Sequence, residues 1–303
     1  MLFMEPQTNQ YGSNMIMTNV NKLTKVKYLN IDTRFRDEYN YNENNTFDIS
    51  FVKTLPDRYK YTITLPDIIN NVKSMKVKSI EIPMTFNNIS SHFENNYFTV
   101  TEGGSSGNAT TVIIDDGSYN MSSLSNTIST KMTNYSSTYY DSTKYAFRST
   151  SSSTTYINFS STDKYNFKSS LGWLLGYRKP LYAVTSNYNI VPEFKNTITT
   201  PMPKYLYLAV DEFSKGVQNS FITPLSNAYL SKNILSRITI DQTIYDFGTV
   251  LTANEFTHLL SDKRSYTGKV NLQKICIQLI NEFGMPVDLN GNDFSFCLEI
   301  EYD

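Results

Sequence analysis

The feature that most constrains this chain is the strict alternation of apolar and polar side chains in its final stretch, FSFCLEIEYD. Neighbouring side chains of a β-strand point to opposite faces, so this period of two predicts a strand with one buried and one solvated face. A terminal strand that is apolar on one face needs a second sheet to cover it, which favours a β-sandwich. The apolar face comprises Phe294, Phe296, Leu298, Ile300 and Tyr302, and the polar face includes Ser295, Glu299 and Glu301.

Similar alternation recurs on both sides of the middle of the chain. The parity slips near Lys78-Ser79 and again between Leu272 and Ile275, and each slip predicts a β-bulge. Pro83 has no N–H to give to a ladder and should end its strand. The stretches are VKYLNIDTRF, with Leu29, Ile31, Thr33 and Phe35 on one predicted face, and TFDISF, YTITL, VKSMKVKSIEIP, KYLYLAVDEF, NILSRITI and KVNLQKICIQLI.

The middle of the chain has a different rhythm. GGSSGNATT is typical of a hairpin tip, and SSLGWLLGYRKP predicts a short helical turn that ends at Gly176 and Pro180. Between them, apolar residues recur at spacings of three and four, which predicts one face of a helix that Ser118 or Asn120 could cap. The predicted helix face is Met121, Leu124, Ile128, Met132 and Tyr135.

These patterns together predict an all-β fold, a β-sandwich interrupted by a small inserted α+β domain. Jelly rolls are one way to build such a sandwich from many short strands. We assign residues 1–25 to an N-terminal arm, residues 26–93 plus 204–303 to the sandwich, and residues 94–203 to the inserted domain.

Composition excludes several classes of protein. Hydrophobic residues make up 40% of the chain and aromatic residues 14%, so the chain can bury a sizeable core and global disorder is not expected. The formal net charge is -1, so the chain as a whole has no polybasic signature of nucleic-acid or anionic-membrane binding. The basic residues near the N-terminus are expected to form a solvated or subunit-facing surface; they are Lys22, Lys25, Lys27, Arg34 and Arg36.

Neither a signal peptide nor an apolar run long enough to span a membrane is evident, so we expect a soluble protein that is intracellular at synthesis. The two cysteines, Cys276 and Cys297, lie in apolar strand-like runs and are expected to be buried free thiols. A disulfide between them is sterically conceivable if residues 270–280 and 294–302 pair as strands.

Few residues are arranged for catalysis. His92 and His258 lack a metal-ligand spacing, and we expect both to be solvated. The adjacent acids at Asp115-Asp116 and Asp211-Glu212 do not by themselves give the defined separation that a catalytic carboxylate pair needs. GGSSGNATT lacks the Gly-Lys-Ser/Thr of a phosphate-binding loop.

The loop DLNGND offers Asp288, Asn290 and Asp293 as oxygen ligands for a metal ion. An EF-hand needs a further acidic position before its glycine, and its twelfth position here would be Glu299, which lies inside a regular strand. Asn-Gly tolerates positive φ at both central positions of a turn, so we favour a turn over a metal site. We predict no catalytic, cofactor-binding or metal-ligating residue, and the chain is not expected to be an enzyme.

Three stretches together resemble one known family. YLNIDTRFRDEY, VKSMKVKSIEIPMTFNNIS with NNYFTV, and LINEFGMPVDLNGNDFSFCLEI look like minor capsid proteins of large eukaryotic DNA viruses and their virophages. TVIIDDGSYNMSSLSNTIS with LGWLLGY is similar to the inserted segment of that family. The resemblance spans most of residues 26–302, whereas the first 25 residues and the loop at 241–267 match no part of it.

The resemblance implies a single jelly roll with an inserted domain. Among this family, the penton proteins of virophages have about this length and layout, which implies a homopentamer at each icosahedral vertex beside a double-jelly-roll major capsid protein. It further implies a virion location at the capsid vertex, with assembly in the host cytoplasm. The alternatives are a facet-located minor (cement) protein, or an attachment module that binds a host receptor or glycan through the inserted domain.

Overall fold

The computed structural model describes residues 24–39, 59–160, 167–186, 188–194, 202–213, 223–225, 228–230 and 233–303. Most of the predicted N-terminal arm and the predicted strand TFDISF lie outside these residues. The helices are α1 (Met121–Lys131) and α2 (Leu171–Leu174), with short 3₁₀ turns at Thr33–Phe35, Asp37–Tyr39, Met132–Asn134 and Phe167–Ser169. The strands are β1 (Lys25–Asp32), β2 (Lys60–Pro83), β3 (Tyr97–Thr101), β4 (Ala109–Ile113), β5 (Thr138–Asp141), β6 (Ala146–Ser149), β7 (Thr155–Asn158), β8 (Leu181–Val184), β9 (Tyr205–Asp211), β10 (Thr223–Leu225), β11 (Ala228–Leu230), β12 (Ile234–Thr239), β13 (Val250–Asn254), β14 (Leu259–Ser261), β15 (Arg264–Ile280) and β16 (Ser295–Tyr302).

The strands outside the middle of the chain, apart from the separate β10–β11 pair, form an antiparallel jelly roll. One group has the order β1-β16-β2-β13 and uses the second half of β2. The other has the order β2-β15-β9-β12-β14 and mainly uses the first half of β2. This interleaving of early and late strands in two layers is the strand order of a jelly roll and confirms the predicted fold class.

Strand β2 belongs to both layers because it bends back over the core. Asn71, at the bend, has a φ of 56°. The ring of Tyr61, near the start of β2, lies 5.5 Å from that of Phe294, whose neighbour Ser295 pairs with Glu81 near the other end of β2. The sequence predicts two strands here, and the structure shows one continuous strand through Pro66.

Both predicted bulges are confirmed. In the β2–β16 ladder, Cys297 pairs with Ser79 and Leu298 with Val77, so Lys78 is the extra residue. In β15 the register shifts between Leu272 and Lys274. Each shift returns the apolar side chains that follow it to the inner face, where they join the main apolar cluster.

The first strand ends earlier than predicted. The side chain of Asp32 accepts a hydrogen bond from Arg34 N and caps a 3₁₀ turn, so the alternation of β1 stops before Thr33. Thr33 is buried as predicted, but Phe35 is 75% exposed instead of sharing the inner face. A local side-chain cap competes here with extended backbone and determines the end of the strand.

The middle of the chain forms a four-stranded sheet of order β4-β3-β7-β8, a β5–β6 hairpin and helix α1. Asn120 caps α1: its side chain accepts from Ser123 N, and the Ser123 hydroxyl accepts from Asn120 N. The apolar side chains of this part of the chain form a cluster of their own, separate from the main one. They include Met121, Leu124, Ile128 and Met132 of the predicted helix face, with Tyr135 packed against them.

A buried ion pair joins the start of β15 to the residue that follows β9. Arg264 Nη1 lies 2.8 Å from Glu212 Oε2, and the two side chains are 2% and 0% exposed. Arg264 also donates to the carbonyl oxygens of Val210 and Asn233. The alternation in the sequence indicates this pair. Glu212 falls on the same face as the inward-facing Val210, and Arg264 falls on the same face as the inward-facing Leu272.

We expect Arg264→Leu to lower the free energy of unfolding by about 3–5 kcal/mol, because it leaves the Glu212 carboxylate buried without its partner. Lys263→Leu is the matched control, since Lys263 is half-exposed and pairs with Glu301 at the surface, where an ion pair contributes about 1 kcal/mol or less. Chemical denaturation of both variants measures the difference. Equal losses in the two would contradict a structural role for the buried pair.

Candidate functional surfaces

The loop before the last strand is a turn. Asn290 and Gly291 have φ values of 55° and 79°, which confirms the two positive-φ positions, and Asn292 N donates to Leu289 O across them. The flanking strands β15 and β16 do not pair with each other, because β2 lies between them, so this turn does not close a hairpin.

The three candidate metal ligands of this loop are used by the protein itself. Asp288 Oδ1 accepts from Asn290 N, and Asn290 Nδ2 donates to Thr85 O. Asp293 accepts from the Thr33 hydroxyl and forms an ion pair with Arg36. These contacts fasten the loop to the segments that directly follow β1 and β2 and support the turn interpretation.

Arg36 is the anchor of that attachment, and the sequence prediction for it is wrong. The sequence predicts a solvated or subunit-facing surface position for it, but it is only 5% exposed in the folded chain. Its guanidinium packs over the rings of Tyr39 and Tyr61, at 3.9 and 4.4 Å, and Nε donates to Thr33 O. Arginine suits this position because its planar guanidinium can stack on aromatic rings and bind a carboxylate at the same time.

The other residues with possible chemistry are dispersed. Asp116 accepts from Ser91 N and Ser91 Oγ, and Asp115 pairs with Lys131 at the surface. Asp211 Oδ1 accepts from Phe213 N, while its neighbour Glu212 belongs to the buried ion pair.

Both histidines are half-buried, so the predicted solvated environment is wrong. His92 Nε2 lies 2.8 Å from Pro286 O, and its ring centroid is 4.4 Å from that of Tyr59. His258 has a φ of 53° and packs edge-on against Tyr245.

Neither cysteine forms a disulfide, and both are half-buried rather than fully buried. A disulfide between them requires β15 and β16 to pair, and the position of β2 between these strands excludes it. Burial raises the pKa of the Cys297 thiol, and the nearby Glu81 and Glu299 raise it further.

A cavity of about 490 Å³ lies where the jelly roll meets the middle part of the chain. Arg178 stands on one side of it, between the rings of Trp173 and Phe194 at 4.0 and 5.0 Å. Glu282 stands on the other, and burial raises the pKa of its carboxyl from 4.5 to about 7, an effect that the charge of Lys204 opposes. Its Oε2 is buried and has no hydrogen-bond partner in the described part of the chain. No local sequence pattern indicates this site, since its residues come from distant segments.

A groove of about 480 Å³ lies beside the edge strand β4 of the middle sheet. Its lining carries one carboxylate, Glu102, and one ammonium group, Lys131. Glu102 accepts hydrogen bonds from Ser136 and Ser137, and Lys131 pairs with Asp115. Both charged groups therefore already have partners within the chain.

No family model matches the chain, and no curated protein matches it. Among solved structures it is similar to the penton protein of mavirus, in a crystal structure of the selenomethionine-labelled protein: identity 7%, TM-score 0.44, covering 91% of this chain and 99% of that chain. It is also similar to a chain of the 3.5 Å cryo-EM structure of the Sputnik virophage: identity 11%, TM-score 0.36, covering 91% and 98%. Because the identities and TM-scores are low, the function proposed below rests on the residues of this chain. No helix in the described ranges is long and apolar enough to cross a membrane.

We expect Gly291→Ala to cost about 1–2 kcal/mol of stability, because alanine resists the positive φ that this turn position requires. Gly268→Ala is the control: a Cβ there also meets open space, but φ is not positive, so the change should be neutral or slightly stabilising. Denaturant unfolding compares the two. A wild-type melting temperature that rises on addition of Ca²⁺ would contradict the turn interpretation.

The Glu282 carboxyl should make the protein less stable as pH rises. Its pKa is higher in the folded chain than the ordinary value of 4.5, so its contribution is fully present below about pH 4.5 and is lost as pH passes about 7. Relative to Glu282→Gln, the free energy of unfolding of the wild type should fall by up to about 3 kcal/mol between about pH 5 and about pH 8. Glu301→Gln should keep this fall, because Lys263 lowers the pKa of that carboxyl instead. A fall of the same size in Glu282→Gln would assign the pH dependence to other groups.

Proposed function

We propose that this chain is a structural protein of a viral capsid, and that it assembles as a homopentamer at the icosahedral vertices in contact with the major capsid protein. The observation that carries the proposal is the jelly roll, an architecture used by capsid proteins. The stretches of sequence that resemble minor capsid proteins include parts of its strands β1, β2 and β16. The virion is then the place where the chain acts.

The interior of the jelly roll supports a structural role. The side chains between its two layers are mainly apolar, and Arg264 and Glu212 neutralise each other. A ligand pocket uses a few polar groups to orient its ligand, and the charged groups here are engaged with each other. Function in this chain therefore falls to its surfaces, as an assembly role requires.

The cavities give little support to an enzyme. A glycosidase on a β-sandwich needs two carboxylates that converge on one bond. The cavity at the junction has a single carboxylate in its lining, Glu282, and the groove beside β4 also has one, Glu102.

We also propose residues 94–203 as a separate unit, supported by the separate apolar cluster of the middle sheet and α1. This unit follows β2 and precedes β9, so both of its connections leave the same end of the jelly roll. Residue 24 lies at the opposite end, since Lys25 pairs with Tyr302 and Tyr302 with Val72. Attachment to a host receptor or glycan through this unit stays a prediction.

Electron microscopy of the purified chain tests the proposal. We expect fivefold rings, and particles that carry the chain at their vertices when it is co-expressed with a double-jelly-roll major capsid protein. Threefold or irregular association would favour a facet-located minor protein instead. A strictly monomeric chain that never enters such particles would contradict a capsid role.

A further inference from the structure

The two flanks of the jelly roll differ in structure. We call β1 and the 3₁₀ turn after it the β1 flank, and residues 241–262, which include β13 and β14, the hairpin flank. Among the described strands, β1 is the edge of one layer, with β16 and β2 between it and β13 at the other edge. The chain after β1 crosses to the other layer, where Asp37 and Glu38 accept from the backbone of β2. Strand β14 crosses to that layer on the hairpin side, where it pairs with β12. The two flanks therefore lie on opposite sides of the sandwich.

Each flank exposes large apolar side chains. Single exposed apolar residues are ordinary, but grouped ones indicate contact surfaces. On the β1 flank, Tyr28 is 60% and Phe35 75% exposed, with Val26 at 50%. The hairpin flank carries more of them within a short segment, and Phe256 at the tip of its hairpin is the most exposed. They are Ile244 59%, Phe247 50%, Val250 55%, Phe256 87% and Leu260 57%.

The flanks have opposite charge. Residues 238–262 contain no Lys or Arg, and their acids are Asp241, Asp246, Glu255 and Asp262. Of these, Glu255 is neutralised within the chain by Lys76 and Lys78. Strand β1 carries Lys25 and Lys27, both exposed, and its one acid, Asp32, is paired with Arg34.

We propose that the hairpin flank of one copy of this chain binds the β1 flank of the next copy. The proposal rests on the homopentamer above and names its contact. Two different surfaces on opposite sides of one subunit make a heterologous contact, which closes into a ring when the rotation between neighbours closes. Apolar side chains at the centre with opposite charges beside them fit such a contact and favour one register over others.

On the β1 flank, the backbone edges of β1 and β2 differ in whether their N–H groups are available to a partner. The outer N–H groups of Thr62 and Thr64 in β2 are capped by carboxylates of Glu38 and Asp37, which blocks strand addition at that edge. The partner therefore meets this flank through side chains and through the backbone edge of β1 that no described strand covers.

A mixing experiment with the full chain tests the contact. The hairpin variant is Phe256→Ser with Leu260→Ser, and the β1 variant is Lys25→Glu with Lys27→Glu. Each variant alone should self-associate about thirtyfold or more weakly than the wild type and stay monomeric. Mixed together, they should form a 1:1 heterodimer and nothing larger, because only one intact flank remains on each copy. Native mass spectrometry and light scattering measure the species.

The controls separate contact from folding. Tyr188→Ser removes a 73% exposed aromatic from the middle part of the chain and should leave assembly unchanged. Circular dichroism and melting should match the wild type for every variant. If the lysine variant misfolds, Phe35→Ser replaces it as the β1 variant.

The outcomes distinguish this contact from the proposed function. Fivefold rings that persist in both variants overturn the contact and leave the vertex role standing. Rings with another symmetry that are lost in both variants, with a heterodimer in the mixture, support the contact and contradict the pentamer. A wild type that stays monomeric, or variants that remain monomeric when mixed, overturns the contact.

Discussion

The rest of this structure depends on the bend in β2. The first half of β2 lies beside β15 at one side of one layer, and its second half lies between β16 and β13 in the other layer. The two layers are therefore joined covalently through the middle of β2. The positive φ of Asn71 lets the chain turn back, and the bulge at Lys78 keeps Ile80 and Ile82 on the inner face after the turn. Without that correction the apolar side chains of the second half would point to solvent, because a slip of one residue exchanges the two faces of a strand.

Buried arginines stabilise the two places where the strand ladders alone leave polar groups inside. Arg36 links the turn after β1 to the loop before β16, and Arg264 links β15 to the end of β9. Both contact a carboxylate and backbone carbonyl oxygens at once, so the fan of guanidinium N–H groups satisfies several acceptors that would otherwise be buried without partners. Each joins segments that are far apart in sequence.

The same architecture leaves the surface of the sandwich, more than its packed interior, for contacts with other molecules. The inner faces are filled mainly by apolar side chains, and the inserted part of the chain leaves from one end of the sandwich, so it does not occupy the flanks of the described strands. Flanks with apolar groups and opposite charges are suited to repeated contact between copies, which is what a capsid component must provide.

The amino-acid sequence was enough to predict the local structure: the alternating strands, the helix face from Met121 to Met132, both bulges and the Asn290-Gly291 turn. These depend on residues close in the chain, through the alternation of faces, capping and backbone preference. The three-dimensional packing was needed to show that β16 pairs with β1 and β2 rather than β15, that Arg36 is buried, and that the Glu282 carboxyl is largely removed from solvent. Strand pairing and the burial of a charge are set by partners hundreds of residues away, and a local pattern shows which face a residue takes without showing what covers it.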